Sequence, residues 1–294
     1  MASRQGASAI AASLVAVLVG ALFAWAGSQG GVTVGSMPVY ALIVIYAFFV
    51  QWLAFVPSYL QQSERYYDLT GSFTYISGIV LAVVLSEAAD ARSIMLLVLV
   101  LVWAGRLGPF LFRRVRRAGK DDRFDQIKRS FSRLFMTWTL QGLWVSLTLA
   151  AALAAVTSAE PKGLDLFAFI GLAVWVLGFA LEATADLQKS RFRADPANKG
   201  SFITSGLWAL SRHPNYFGEI TLWTGIAIIA LPVLRGWQFA TLISPVFVYL
   251  LITRVSGVPL LEKKADATWG GQEAYEAYKR RTPVLVPFPG RKQR

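Results

Sequence analysis

The chain has 294 residues, 55% of them apolar and 16% charged, with a formal charge of +12, no cysteine and one histidine; its mean hydropathy is +0.49. Soluble domains carry about 25% charged residues, so this chain has too few polar side chains to cover a water-facing surface and reads as a membrane protein. Without cysteine there is no disulfide, thiolate nucleophile, iron–sulfur cluster or Cys-ligated zinc, and the lone His213 excludes a multi-histidine metal site. No metal is expected.

In chain order, apolar runs long enough to cross a bilayer as helix lie near residues 9–26, 38–56, 72–89, 93–112, 134–157, 164–182, 216–234 and 238–255. Backbone polar groups have no water to bond in hydrocarbon, so these eight runs are predicted helices and the fold class is an all-α polytopic membrane bundle. Arg4, the apolar stretch and Ala24-Trp25-Ala26 also fit a signal peptide, whose cleavage would leave seven spans; the length of Ala9 to Ala26 favours a retained helix. Gly and Ala in spans one and five permit close helix contact. The long polar stretches are 113–133, 185–215 and everything after 256. The expected organisation is a transmembrane domain over 1–256 and a tail over 257–294 that completes the same cofactor-binding unit. Residues Val258 to Arg281 read as one polar helix, ended by Pro283, Pro287 and Pro289.

If the eight spans alternate with the tail inside, that side holds 26 of the 29 Lys and Arg and 13 of the 17 acids; Arg92, Lys162 and Arg235 are left outside. The positive-inside rule then places both termini in the cytoplasm.

Ionisable clusters at the membrane boundary are the places to look for function. Glu182 and Asp186 are four apart and share a face at the inner end of span six, followed by Lys189, Arg191, Arg193 and Lys199. Span seven is entered through Ser211-Arg212-His213-Pro214-Asn215-Tyr216-Phe217-Gly218-Glu219, with Pro214 suited to a first helical turn and Tyr216 and Glu219 on one face. Such a group reads a ligand by charge and hydrogen bond. It equally fits a capped helix with an interfacial Tyr and a snorkelling Arg.

The 211–219 segment resembles the signature shared by the steroid 5α-reductase C-terminal family, the sterol C14- and Δ7-type reductases and the isoprenylcysteine carboxyl methyltransferases, and the chain is most similar to the bacterial DUF1295 branch of that superfamily. Tyr67-Asp68-Leu69-Thr70-Gly71-Ser72, Gly105-Arg106-Leu107-Gly108, Asp195-Pro196-Ala197-Asn198-Lys199-Gly200, Arg254-Val255-Ser256-Gly257-Val258-Pro259-Leu260-Leu261-Glu262-Lys263 and the Tyr275, Tyr278, Arg280, Arg281, Pro283, Pro287 spacing support the likeness. The resemblance implies a bacterial inner-membrane enzyme whose cytoplasm-facing cavity holds NADPH, or S-adenosylmethionine in the methyltransferases, while a hydrophobic small-molecule substrate enters from the bilayer. It places Arg212, His213, Asn215, Tyr216 and Glu219 on the cofactor-facing signature and Glu182 and Asp186 near ribose or carboxamide positions. Arg191, Glu262, Tyr275, Tyr278 and Arg281 match further cofactor positions, with Trp269-Gly270-Gly271 as an extra stretch.

On this likeness the expected reaction is NADPH-dependent reduction of a carbon–carbon double bond in a lipid-like substrate. Reduction also needs a proton donor and polarisation of the acceptor, for which Tyr66, Tyr67 and Asp68, on the inner side after span two, are the local candidates; an aromatic-belt anchor and a cap for span three explain them too. Where the steroid reductases have a Gln-Glu pair, this chain has Gln51-Trp52. Methyl transfer is the alternative. The basic loops suit a phosphorylated cofactor better than a sulfonium, though anionic lipid would also attract them. A transporter or lipid-binding role lacks ionisable mid-span residues or broken helices to support it, and the basic residues lie in membrane-face loops, so nucleic-acid binding is set aside.

Overall fold

The computed structural model describes residues 2–118 and 124–288; part of the basic 113–133 segment, and Pro289, lie outside the described residues. Among the described residues, eight helical segments are long and apolar enough to span a membrane, as the hydropathy pattern requires: Gln5–Gly27, Val39–Leu60, Tyr67–Leu85, Ala91–Arg116, Phe131–Val156, Leu166–Ala194, Pro214–Val233 and Gly236–Trp269. The protein is a polytopic helical bundle. The described residues add one two-stranded hairpin, β1 (Thr33–Val34) with β2 (Met37–Pro38). The chain divides into two compact units, Met1–Ala168 with Ile229–Ser244, and Phe169–Ile228 with Pro245–Arg294.

The first unit contains α1 (Ala2–Gly27), α2 (Val39–Leu60), α3 (Tyr67–Leu85), α4 (Ala91–Ala118) and α5 (Phe131–Val156). Helix α5 is its centre, packed by α1, α2 and α3, and every residue from Val145 to Val156 is buried. Its alanine-rich half leaves little side-chain bulk between backbones, which lets neighbours approach closely. At Gly142 an added Cβ would sit 3.1 Å from the Phe48 Cα, and at Gly20 in α1 it would meet the Phe48 ring at 2.6 Å. Polar groups in this interior pair with one another: Gln51 Nε2 donates to Thr74 Oγ1 at 2.8 Å and Trp52 Nε1 to Thr139 Oγ1 at 3.1 Å. Arg92, 1% exposed, donates to the carbonyls of Lys162, Gly163 and Ile229 and pairs with Asp165 at 2.9 Å. Its cationic charge and donors are thereby satisfied away from water.

Helix α3 ends at Leu85, four residues before the hydropathy run does. Glu87 adopts φ +51°, Ala88 N–H bonds to Val83 O and Glu87 N–H to Val84 O, a left-handed cap that stops the helix. Gln62 (φ +50°) ends α2 the same way, with Ser63 N–H on Ser58 O and Gln62 N–H on Tyr59 O. Glycine advertises such caps in a sequence, whereas Gln and Glu do not.

The second unit contains most of α6 (Leu166–Ala194) and α7 (Pro214–Ala230), then α9 (Val258–Trp269) and α10 (Glu273–Arg281). Two expectations change. The eighth run is not one regular α-helix: a 3₁₀ stretch (Gly236–Leu242) leads into α8 (Ile243–Leu250), which widens into a π turn over Leu251–Val255. The tail is two helices, not one, because Gly270 and Gly271 form a corner with Gly271 at φ +81°. An L side chain is strained at that angle, so glycine makes the corner possible.

Candidate functional site

Helices α6 and α7 meet through backbone. A Cβ on Gly218 would lie 2.5 Å from Glu182 N and 2.6 Å from Gly178 O, and one on Gly225 would lie 2.6 Å from both Gly171 O and Trp175 N. No side chain larger than hydrogen fits these positions, so the glycines set the approach that brings the 211–219 signature beside Glu182. Glu182 is 2% and Asp186 7% exposed.

Between the helices the chain makes a fixed loop. Gly206, at φ +62°, turns against the Gln188 amide, which accepts from Leu207 N–H at 2.9 Å. Trp208 then inserts toward α6: its indole N–H donates to Ala185 O at 3.0 Å, and Lys189 Nζ lies 4.1 Å from its ring centroid. Ala185, Ile203 and Trp208 form a buried cluster with Phe192 and Leu207 against it. Ser211, fully buried, accepts from His213 N–H at 3.1 Å and donates to Leu285 O at 2.7 Å. This orders the segment just before Pro214 opens α7.

Glu262 on α9 joins the two basic residues of the signature. Its Oε1 is 2.8 Å from His213 Nε2 and its Oε2 is 3.1 Å from Arg212 Nη1. His213 is 4% exposed and stacks on Tyr216 with ring centroids 5.6 Å apart at 14°. Burial pulls the imidazole below its ordinary 6.5 against the opposing pull of Glu262, with Lys189 and Arg212 lowering it further. The neutral ring therefore donates Nε2–H to the carboxylate, which leaves Nδ1 a bare acceptor. That atom and the Arg212 Nε–H are buried and have no partner among the described residues. One donor and one acceptor on adjacent residues are thus held ready for a ligand, since a buried polar atom left unmatched costs about 1–3 kcal/mol.

Helix α10 closes this group from the tail. Phe202 contacts the rings of Trp269, Tyr275 and Tyr278 at 5.6, 5.2 and 5.7 Å. Tyr278 OH donates to Trp208 O at 2.7 Å, and Trp269 Nε1 donates to Gly200 O at 2.7 Å. Tyr275 OH and Lys279 Nζ both donate to Asp266 Oδ1, at 3.2 and 2.8 Å. Burial and then the Asp266 bond push the Tyr275 hydroxyl up to about 12.

Of the residues singled out from the sequence, Glu182, Asp186, Arg191, Arg212, His213, Asn215, Tyr216, Glu219, Glu262, Tyr275, Tyr278 and Arg281 all belong to the second unit. Direct contacts tie Arg212, His213, Tyr216 and Glu262 together. Asn215 is half-buried in the first turn of α7, and Arg191 is exposed in the last turn of α6. Tyr66, Tyr67 and Asp68 belong to the first unit, at the start of α3. Tyr66 is 53% exposed and stacks on Phe112 at 6.0 Å. The Tyr67 hydroxyl donates to Thr137 O at 3.1 Å, with its ring against Phe124 and Trp138. Sequence reading assigned no role to Phe202, Trp208 or Asp266. None carries a motif, and only the folding of the tail onto the 199–212 loop reveals them.

The family described as "Protein of unknown function (DUF1295)" matches residues 54–282. The Probable O-methyltransferase ustE of Ustilaginoidea virens is 32% identical over 71 residues, 24% of this chain. The match spans only 25% of that curated relative's length. No solved structure matches the chain.

Proposed function

Because the chain belongs to the DUF1295 family, whose description names no activity, we propose from the site itself that it is a membrane-embedded, NADPH-dependent reductase of a carbon–carbon double bond in a lipid-like substrate. The observation that carries this reading is the buried pair left open beside Glu262, the Arg212 Nε–H donor and the His213 Nδ1 acceptor. A primary carboxamide offers the complementary oxygen and N–H, and the nicotinamide ring bears one. The residues present fit such a cofactor. Arg212 and His213 would hold the carboxamide, and Tyr216 keeps the imidazole plane fixed by stacking. Glu182 and Asp186 would accept from ribose hydroxyls. NADPH would supply hydride to an activated double bond. The chain's own contribution is to bind and orient it, and to keep His213 neutral so that Nδ1 stays an acceptor. In this reading the tail and the site face the cytoplasm of a bacterial inner membrane.

A second reading, methyl transfer from S-adenosylmethionine, is favoured by the name of the partial relative. Its ribose would use the same two carboxylates, but it carries no carboxamide. Titrating the purified full-length protein with NADPH, NADH and S-adenosylmethionine while following thermal unfolding separates the two. A true cofactor at about 100 times its Kd stabilises by about 2.7 kcal/mol. We expect NADPH to stabilise, and Arg212→Gln to weaken its binding by about 10- to 100-fold, the worth of one charged hydrogen bond. Stabilisation by the sulfonium alone would replace the reductase reading with the methyltransferase one.

A further inference from the structure

Beyond α10 the chain runs back as a strap with bends at Thr282 and Val284 to Val286. Arg212 N–H donates to Pro283 O at 2.9 Å, Ser211 Oγ to Leu285 O at 2.7 Å, and Phe288 N–H to Leu210 O at 3.0 Å. The strap is thereby pinned along residues 210–212, and Arg212 is two residues ahead of Pro214, the first residue of the seventh span. Two residues cover at most about 7 Å, comparable with the headgroup layer of one leaflet. The strap therefore lies at the membrane boundary.

Two features of the strap lie beyond the open pair of Arg212 Nε and His213 Nδ1. First, its exposure alternates: Val284, Val286 and Phe288 are 39%, 57% and 67% exposed, while Leu285 and Pro287 between them are half-buried. Second, the strap walls a cavity of about 350 Å³ lined by Arg212, Lys279, Arg280, Arg281, Thr282, Pro283, Val284 and Phe288, with no carboxylate among them. Arg212 and Lys279 are engaged by Glu262 and by Asp266 and Glu276. Arg280 and Arg281 are exposed and have no ion-pair partner among the described residues. Thr282 is 2% exposed, and its hydroxyl has no hydrogen-bond partner among them.

We propose that this cavity and strap bind an anionic phospholipid of the surrounding bilayer, its phosphate held by Arg280, Arg281 and the Thr282 hydroxyl and its acyl boundary covering Val284, Val286 and Phe288. Guanidinium groups and a hydroxyl are donors suited to a phosphate oxyanion. The apolar side chains beside them choose between sources of phosphate. A soluble anion would fill the cations and leave the apolar row in water, whereas a lipid covers both. Docking there would hold the tail, and with it α10 and Glu262 of α9, against the membrane surface.

Native mass spectrometry of the full-length protein in detergent tests this, with dioleoyl phosphatidylglycerol and dioleoyl phosphatidylcholine titrated separately. Phosphatidylglycerol is expected to bind saturably and more tightly than phosphatidylcholine. Arg280→Gln should weaken it about fivefold, the worth of one cation at a membrane surface. Thr282→Val should weaken it as well, and Phe288→Ser should weaken both lipids. Arg280 is exposed, so its variant keeps the fold, as unchanged circular dichroism would show, and decides the matter even if Thr282→Val misfolds. Equal binding of the two lipids would overturn the proposal. So would wild-type phosphatidylglycerol affinity in Arg280→Gln, or displacement of the lipid by inorganic phosphate or by NADPH; either displacement would make the cavity a free-phosphate or cofactor-phosphate site.

Discussion

At the scale of the residue, His213 is the side chain whose chemistry depends most on its surroundings. The same imidazole in an unfolded chain titrates near 6.5, while in the folded protein burial holds it lower. Below pH 6.5 the unfolded state therefore binds a proton that the folded state refuses, so folding stability falls as pH drops through that value and is fully present above it. Thermal unfolding of the wild type should show this loss between pH 7.5 and pH 5.5, and His213→Gln should flatten that part of the profile. Identical slopes in both proteins would mean that the imidazole titrates freely, and Nδ1 would not be reserved as an acceptor. Glu262 sits in the same balance: it bonds both the imidazole and the Arg212 guanidinium, so one carboxylate sets the orientation of two signature residues. The Tyr67 hydroxyl is a contrasting case. It donates to Thr137 O and packs between aromatic rings, a contact that anchors α3 to α5.

At the scale of the element, the α6–α7 contact is what a glycine pattern makes possible. Gly178, Gly218 and Gly225 let the two backbones touch along several turns. Gly225 lies well along α7 from the signature, so it separates packing from chemistry. In Gly225→Val the new side chain meets Gly171 O and Trp175 N, backbone atoms that cannot turn aside. We expect a loss of about 1–3 kcal/mol or more, the range for overpacking, read as a lowered unfolding temperature with NADPH affinity less affected than in Arg212→Gln. A wild-type unfolding temperature would mean that the helices part at little cost. The two-helix tail follows the same logic: Gly271 turns the corner, Trp269 and Tyr278 bond loop carbonyls, and Phe202 fills the space between them.

At the scale of the whole molecule, charge is the dominant signal. Of the three cations expected outside, Arg92 is buried against carbonyls and Asp165, and Arg235 pairs with Glu160 at 2.6 Å. If the spans alternate, the rest of the cationic excess falls on the other side, where the positive-inside rule predicts the cytoplasm. A reporter that fluoresces only in the cytoplasm, fused after Arg294, should be bright, and a periplasm-dependent reporter fused there inactive. The opposite pattern would invert the topology and put the 182–219 cluster outside. Hydropathy by itself determined the eight apolar runs and their helical nature, because hydrocarbon tolerates no unsatisfied backbone and this constraint is local to each run. The residues of the signature were legible as well, since their spacing is fixed along one loop and one helix turn. Only the tertiary structure decided where α2 and α3 stop, that the tail is two helices, and which atoms of Arg212 and His213 are left open. The last of these depends on partners distant in sequence: Glu262 comes 49 residues after His213, and Leu285 comes 74 residues after Ser211. No local periodicity encodes which of them will meet.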